Sequence, residues 1–201
     1  MTIHSAHGAL TAKKLGFERA VLSRELTKTQ IEQISKLDIE TEIFVHGALC
    51  MSVSGQCYMS SFIGQRSANR GLCAQTCRLP FSACGNKNRC GLSLKDLSLI
   101  EHIDEIKQTG VSSLKIEGRM KRPEYVAAAV TAYRNAIDGK DYDAETLKAV
   151  FSRNGFTDGY FTEKYTGMFG TRMKDDVLAA KEVLPSVRQL YKSERKITYI
   201  S

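Results

Sequence analysis

"TEIFVHGALCMSVSGQC", residues 41–57, begins as a strand-like run and ends in two cysteines with six residues between them. Apolar Ile43, Phe44 and Val45 give way at His46 and Gly47 to small and polar residues without any regular period. A strand that opens into a long irregular loop decides the fold class. In α/β proteins the chemistry gathers beyond the carboxyl ends of strands, and a loop of this length is either functional or held by a ligand.

The pattern repeats on both sides. Upstream, "MTIH" reads as a strand, residues 6–15 as a helix ended by Gly16, and "RAVLS" as a second strand. "TKTQIEQISKL" reads as a helix with Thr27 as its N-cap and Ile31, Ile34 and Leu37 facing inward. Downstream, "GLSLKDL" leads into a helix over 97–108 closed by Gly110, "VSSLKIEG" is a fourth strand, and Pro123 occupies the first turn of "PEYVAAAVTAYRNAID". A helix over 144–151, a loop over 152–170, a helix over 174–183 and a closing strand in "SERKITYIS" complete the reading.

Alternating strands and helices imply a parallel sheet with covering helices. About four β/α units are too few to close a barrel of eight, which leaves a small open sheet or a piece of a (β/α) barrel. In either case one rim collects polar residues that follow apolar runs: His4, then Ser23, Arg24 and Glu25, then His46 and Gly47, then Glu117, Gly118 and Arg119.

Charge is unevenly spread over the 201 residues. Between Glu42 and Asp96 there is no carboxylate, while Arg66, Arg70, Arg78, Lys87, Arg89 and Lys95 supply most of the net charge of +7. Such a patch favours an anionic partner, an RNA or a small anionic substrate. No apolar run reaches membrane-spanning length, and the N-terminal residues carry no signal-peptide pattern. The expected location is the cytoplasm, where cysteines serve as ligands or free thiols.

The six cysteines, Cys50, Cys57, Cys73, Cys77, Cys84 and Cys90, follow C-x6-C-x15-C-x3-C-x6-C-x5-C. Only Cys73 and Cys77 are spaced like a zinc-binding pair, and the redox motif C-x-x-C is absent. A Cys50 nucleophile with His46 as its base leaves five thiols unexplained. Four thiolates on an iron-sulfur cluster fit the irregular spacing better, with zinc and inert thiols as the alternatives.

Residues Glu42, Phe44, Gly47, Ala48, Leu49, Cys50, Gly55, Cys57, Met59 and Ser60 match the pattern E-x-F-x-x-G-[SA]-[apolar]-C-x4-G-x-C-x-[apolar]-S. In these residues the chain resembles the collagenase-like U-thirty-two peptidases, and the resemblance continues through "GFERAVLSREL", "NRGLCAQTCRLPF", "SLKIEGRMKRPEYV" and "NGFTDGYFT".

The resemblance implies an α/β fold whose parallel strand-helix units form the C-terminal part of an incomplete (β/α) TIM-type barrel. Residues 1–140 would be the partial barrel with a Cys-rich insertion at 47–92, and 141–201 a helical and loop extension leading into a missing region. It also implies a four-iron four-sulfur cluster on Cys50, Cys57, Cys73 and Cys77, with Cys84 or Cys90 as the alternative fourth ligand. The family's RNA-modifying members support oxygen-independent hydroxylation of tRNA or rRNA bases and are linked to prephenate as a co-substrate.

On that reading Arg24, Arg66, Arg70 and Arg78 bind substrate, and Glu117 and Arg119 orient it at the rim. The family label offers a second reading, a protease acting on collagen-like peptides through Cys50 and His46, or through a metal held by His46 and Glu42. No Ser-His-Asp order or H-E-x-x-H motif supports that chemistry. A third reading is an inactive fragment or partner-binding module that self-associates through exposed barrel edges. "KIEGRMKRPEY" and the aromatic residues Tyr160, Phe161, Tyr165 and Phe169 are further RNA contacts or ordinary surface and core. His4, His7 and His102 have no assigned role.

Overall fold

The computed structural model describes residues 3–53, 56–83, 86–118 and 121–192. Ser5 caps helix α1 (Ala6–Lys14) by accepting from the Gly8 amide at 3.1 Å, and β1 (Arg19–Val21) follows. Helix α2 (Lys28–Ser35) starts at a capping box in which Thr27 and Gln30 satisfy each other's amides, and it buries Ile31 and Ile34. The long strand β2 (Glu40–Ala48) runs into the cysteine loop, which contains α3 (Met59–Gly64) and the hairpin of β3 (Phe81–Ala83) and β4 (Asn86–Arg89).

Beyond the loop lie β5 (Asp96–Ser98), α4 (Ile103–Gln108), β6 (Ser113–Ile116) and α5 (Pro123–Ile137). They are followed by α6 (Ala144–Val150), β7 (Phe156–Thr157), α7 (Gly159–Thr162) and α8 (Lys174–Val187). The strand expected in the closing "SERKITYIS" lies outside the described residues.

Strand β2 is the hub of the sheet. It runs parallel to β1, pairing Val21 with Glu42, and parallel to β6, pairing His46 with Ile116 after a register shift. Beyond β1, Ile3 bridges Leu22 in parallel, which is all the described structure shows of the strand expected at "MTIH". At its carboxyl end β2 also pairs with β5, and here the expectation of an all-parallel sheet fails: His46 faces Ser98 in antiparallel register, and β5 then pairs with β7. The result is an open, mixed sheet covered by helices.

The reason β5 escapes a sequence reading is a double period. Leu97, Ile100, Ile103 and Ile106 fit helical spacing, yet Leu97 and Leu99 flank Ser98 with the two-residue period of a strand, and all five apolar residues are buried. Helix formation starts only at the single 3₁₀ turn Ile100–His102. Residues 152–170, read as loop, contain β7 and α7.

The core packs Ile43 and Val45 of β2 against Leu97, Leu99, Ile31, Ile106 and Ala129. Tyr133 of α5 joins the layers: its hydroxyl donates to the Val45 carbonyl at 2.6 Å and accepts from the Leu99 amide at 3.1 Å. A smaller cluster of Tyr125, Ala128, Val150 and Val187 seats α6 and α8 on α5. This packing fixes the carboxyl ends of β2 and β6 side by side, where the polar rim was expected.

Candidate functional site

The rim is built on a close approach of two strand ends. Gly47 has φ +127°, and a Cβ there would lie 2.7 Å from the Cβ of Glu117, so only glycine lets the two strands meet. The Glu117 amide donates to the His46 carbonyl at 2.9 Å, which fixes the Glu117 backbone beside the end of β2. Its carboxylate meets the Arg24 guanidinium at 2.5 Å, and Arg24 lies 3.7 Å over the Phe44 ring. Arg24 and Glu117, read separately from two strand ends, thus form one partly buried pair.

Cys50 follows two residues after β2. Desolvation raises its thiol pKa; Arg24 pulls the other way, while Glu117, Cys77 and Cys73 add to the rise. Arg24, Glu117, Cys50, Cys73 and Cys77 therefore share one electrostatic neighbourhood. Two tethers shape it. Buried Ser60 of α3 accepts from the Ala74 amide at 3.1 Å, holding the turn that carries Cys73.

The second tether is Arg78, next to Cys77. Its guanidinium donates to the Leu49 and Leu94 carbonyls and to Ser93 Oγ at 3.1 Å, which binds the Cys77 turn to the chain just before Cys50. Arg78, expected to bind substrate, meets the scaffold instead. Cys50, Cys57, Cys73, Cys77 and Cys90 are all free thiols. Among the described residues no three His, Cys, Asp or Glu side chains gather tightly enough for a single metal ion.

The other expected residues are distributed unevenly. Arg66 and Arg70 are exposed on the cysteine loop, and among the described residues neither meets a carboxylate. Glu42 lies four residues upstream of His46, with its carboxylate engaged by Lys115 at 2.5 Å and Ser113 at 2.9 Å. Its pKa is lowered because those two hydrogen bonds and the charges of Lys115 and Arg19 together outweigh desolvation, the largest single effect. Arg119 and Cys84 lie outside the described residues.

His46 is 1% exposed and enclosed by the rings of Phe156, Tyr133 and Tyr125 at 5.1, 5.5 and 5.6 Å. Neither ring nitrogen has a hydrogen-bond partner. Burial, reinforced by the charge of Lys121, pushes its pKa down to about 3. The imidazole is neutral at physiological pH and makes no dyad with Cys50. His102, given no role in the sequence, bridges Glu105 and Asp158 at 2.8 Å on each side.

Behind the rim lies a set of residues of which the sequence flagged only Lys121, within "KIEGRMKRPEY". Arg153 pairs with Asp96 inside the protein, their side chains 8% and 2% exposed. Lys121 and Arg172 lie over the Phe151 ring at 2.9 and 4.5 Å, with Arg153 at 5.1 Å from the same ring. Burial pushes the Lys121 ammonium down to about 8. A correct assignment of β5 would have flagged Asp96 as a strand-end residue. Arg153 and Arg172 come from segments with no regular pattern, and only the folded chain brings them to Lys121.

The model of Peptidase family U32 matches residues 1–168. A tRNA hydroxylation protein P1 from Bacillus subtilis is 40% identical over 148 residues, covering 67% of this chain and 35% of that protein. A collagenase from Porphyromonas gingivalis is 37% identical over 177 residues, 73% of this chain and 42% of the relative. A 23S rRNA 5-hydroxycytidine synthase from Escherichia coli is 40% identical over 143 residues, 68% of this chain and 22% of the relative. The chain thus spans less than half the length of these relatives. No solved structure matches it.

Proposed function

Because the chain belongs to peptidase family U32, we propose that it is the thiolate-bearing part of an enzyme supporting oxygen-independent hydroxylation of a tRNA or rRNA base. The relatives named for tRNA hydroxylation and for 5-hydroxycytidine synthesis support this reading. The observation that carries it is the rim itself: Cys73 and Cys77 lie near enough to raise the Cys50 pKa, beside the Arg24–Glu117 pair, in a loop with no carboxylate of its own.

The donor set fits a four-iron four-sulfur cluster in kind. All the described cysteines are unpaired thiols, and a cube of irons accepts thiolates spread more widely than a single ion does. Cys50, Cys57, Cys73 and Cys77 would hold it, with Cys84 or Cys90 as an alternative fourth ligand. When bound, such a cluster supplies one-electron chemistry.

The chain's own residues then divide the remaining work. Arg66 and Arg70 neutralise RNA phosphates, the Arg24–Glu117 pair orients the substrate at the rim, and prephenate is the proposed co-substrate. We assign the strand-helix units to a (β/α) barrel and the protein to the cytoplasm; no helix among the described residues is long and apolar enough to cross a membrane.

The protease reading ranks second. Its cysteine form needs an activated Cys50, whereas the Cys50 pKa is raised and His46 touches no thiol; its metal form needs His46, which aromatic rings enclose, and Glu42, which Lys115 and Ser113 engage. Iron and labile-sulfide analysis of anaerobically purified protein tests the proposal. Charge-transfer absorption lost in Cys50→Ala and Cys73→Ala is expected. Iron-free protein that cleaves gelatin, with turnover abolished by Cys50→Ala, would overturn it.

A further inference from the structure

Behind the rim three cations gather where the protein places few polar partners. Lys121, Arg153 and Arg172 converge on one aromatic face; Asp96 is paired with Arg153, and Glu117 and Asp176 are further carboxylates near Lys121 and Arg172 respectively. Burial is the largest effect on Lys121 and Arg172 and lowers both pKa values; Asp96 and Glu117 oppose it at Lys121 and Asp176 and Asp96 at Arg172, while Arg153 adds to the lowering at both. Buried like charges are costly unless a counter-charge completes them.

The same volume holds polar atoms that find no partner in the protein. Among the described residues these include Arg172 Nε, the Tyr125 hydroxyl, Asp96 Oδ2 and both nitrogens of His46. Tyr125 and Asp96 are 3% and 1% exposed, so water does not freely satisfy them. His46 and Tyr125 face each other at 5.6 Å, and Lys121 lies 5.3 Å from the Tyr125 ring, which ties these groups to the cations. Arg172, Tyr125 and a neutral His46 can each donate to an oxyanion bound beside these cations, whereas Asp96 only accepts and serves to hold Arg153.

We propose that Lys121, Arg153 and Arg172, gathered on the Phe151 ring with Tyr125 and His46 beside them, form a binding site for a small oxyanion, a carboxylate or phosphate of metabolite size. Lys121 and Arg172 supply charge, and the Tyr125 hydroxyl and a His46 ring N–H supply direction. Arg153 is held in place by Asp96. Lys121 and Arg172 are half-buried and suit a small anion, whereas the phosphates of a nucleic acid are assigned to the exposed arginines of the cysteine loop. The site needs no iron, so its test is separate from that of the thiolate reading.

Thermal unfolding of the full chain at pH 7 and constant ionic strength tests the proposal, with sodium succinate, sodium phosphate and sodium chloride as the three arms. A midpoint that rises and saturates at millimolar succinate or phosphate, but not with chloride, is expected. The arm that saturates at lower concentration identifies a carboxylate or a phosphate ligand. Lys121→Met and Arg172→Met should each weaken that response at least tenfold. Lys121→Met also removes a half-buried charge, so without anion its midpoint should match or exceed that of the parent protein.

Should Lys121→Met not fold, Arg172→Met, on a less enclosed side chain, decides the matter together with calorimetric titration of the unsubstituted chain. A rise that never saturates reflects general salt exclusion and overturns the proposal. So does a saturating rise that persists unchanged in Arg172→Met.

Discussion

At the residue scale, two positions of β2 carry the geometry of the rim. Gly47 combines φ +127° with a 2.7 Å approach to Glu117, so Gly47→Ala meets both backbone strain and a clash. A loss of about 1–3 kcal/mol in denaturant unfolding is expected; an unchanged midpoint would show that the strand ends can separate freely. His46 makes a prediction in pH. Its folded pKa of about 3 lies below the ordinary 6.5, so between those values the unfolded chain binds a proton that the folded chain refuses. Stability therefore falls as pH drops below about 6.5, by about 1.4 kcal/mol per pH unit from this residue alone. His46→Leu should flatten that slope relative to the parent protein, measured as unfolding free energy from pH 7 to pH 4. These roles were half legible: a strand-end histidine stands out in sequence, but only the packing of Tyr125, Tyr133 and Phe156 shows that it stays neutral.

At the scale of the element, the caps and periods made α1, α2, β1, β2, β6 and α5 readable, because Thr27 and Pro123 act locally and the apolar spacing follows one period. The chain between β2 and β6 was less readable, since β5 has two overlapping periods and its partner β7 has two residues. The same segment contains the Arg78 clasp, whose three acceptors lie far from it in sequence. Replacing Arg78 by Met leaves the buried carbonyls of Leu49 and Leu94 and the hydroxyl of Ser93 short of a donor, at a cost of about 1–3 kcal/mol. Faster alkylation of Cys77 by a maleimide in Arg78→Met than in the parent protein is the expected signature of a released turn. Equal rates would mean that the turn is held by something else.

Over the whole molecule, the α/β class was legible from strand-helix alternation, while the direction of β5 and the open edges of the sheet depend on pairings between distant segments. Charge segregation was visible in the sequence and persists in the fold: Arg66 and Arg70 stay exposed on the carboxylate-free loop, whereas Lys121, Arg153 and Arg172 turn inward. The exposed pair should contribute to RNA binding in a salt-dependent way. Double substitution of Arg66 and Arg70 by Gln is expected to weaken binding uniformly across RNA sequences and to reduce the slope of log affinity against log salt by about two. Filter binding at several salt concentrations reads both quantities, and an unchanged slope would remove these arginines from the RNA surface.

The Arg78 clasp also bears on how the protein tolerates genetic drift. Two of its three acceptors are main-chain oxygens, which every amino acid provides, so substitutions at positions 49 and 94 leave the acceptor in place so long as the backbone keeps its course. The donor has no such redundancy, because a lysine lacks the planar fork that reaches both carbonyls at once. Mutational tolerance around the cysteine loop is thus lopsided: the side that receives can vary, and the side that gives cannot.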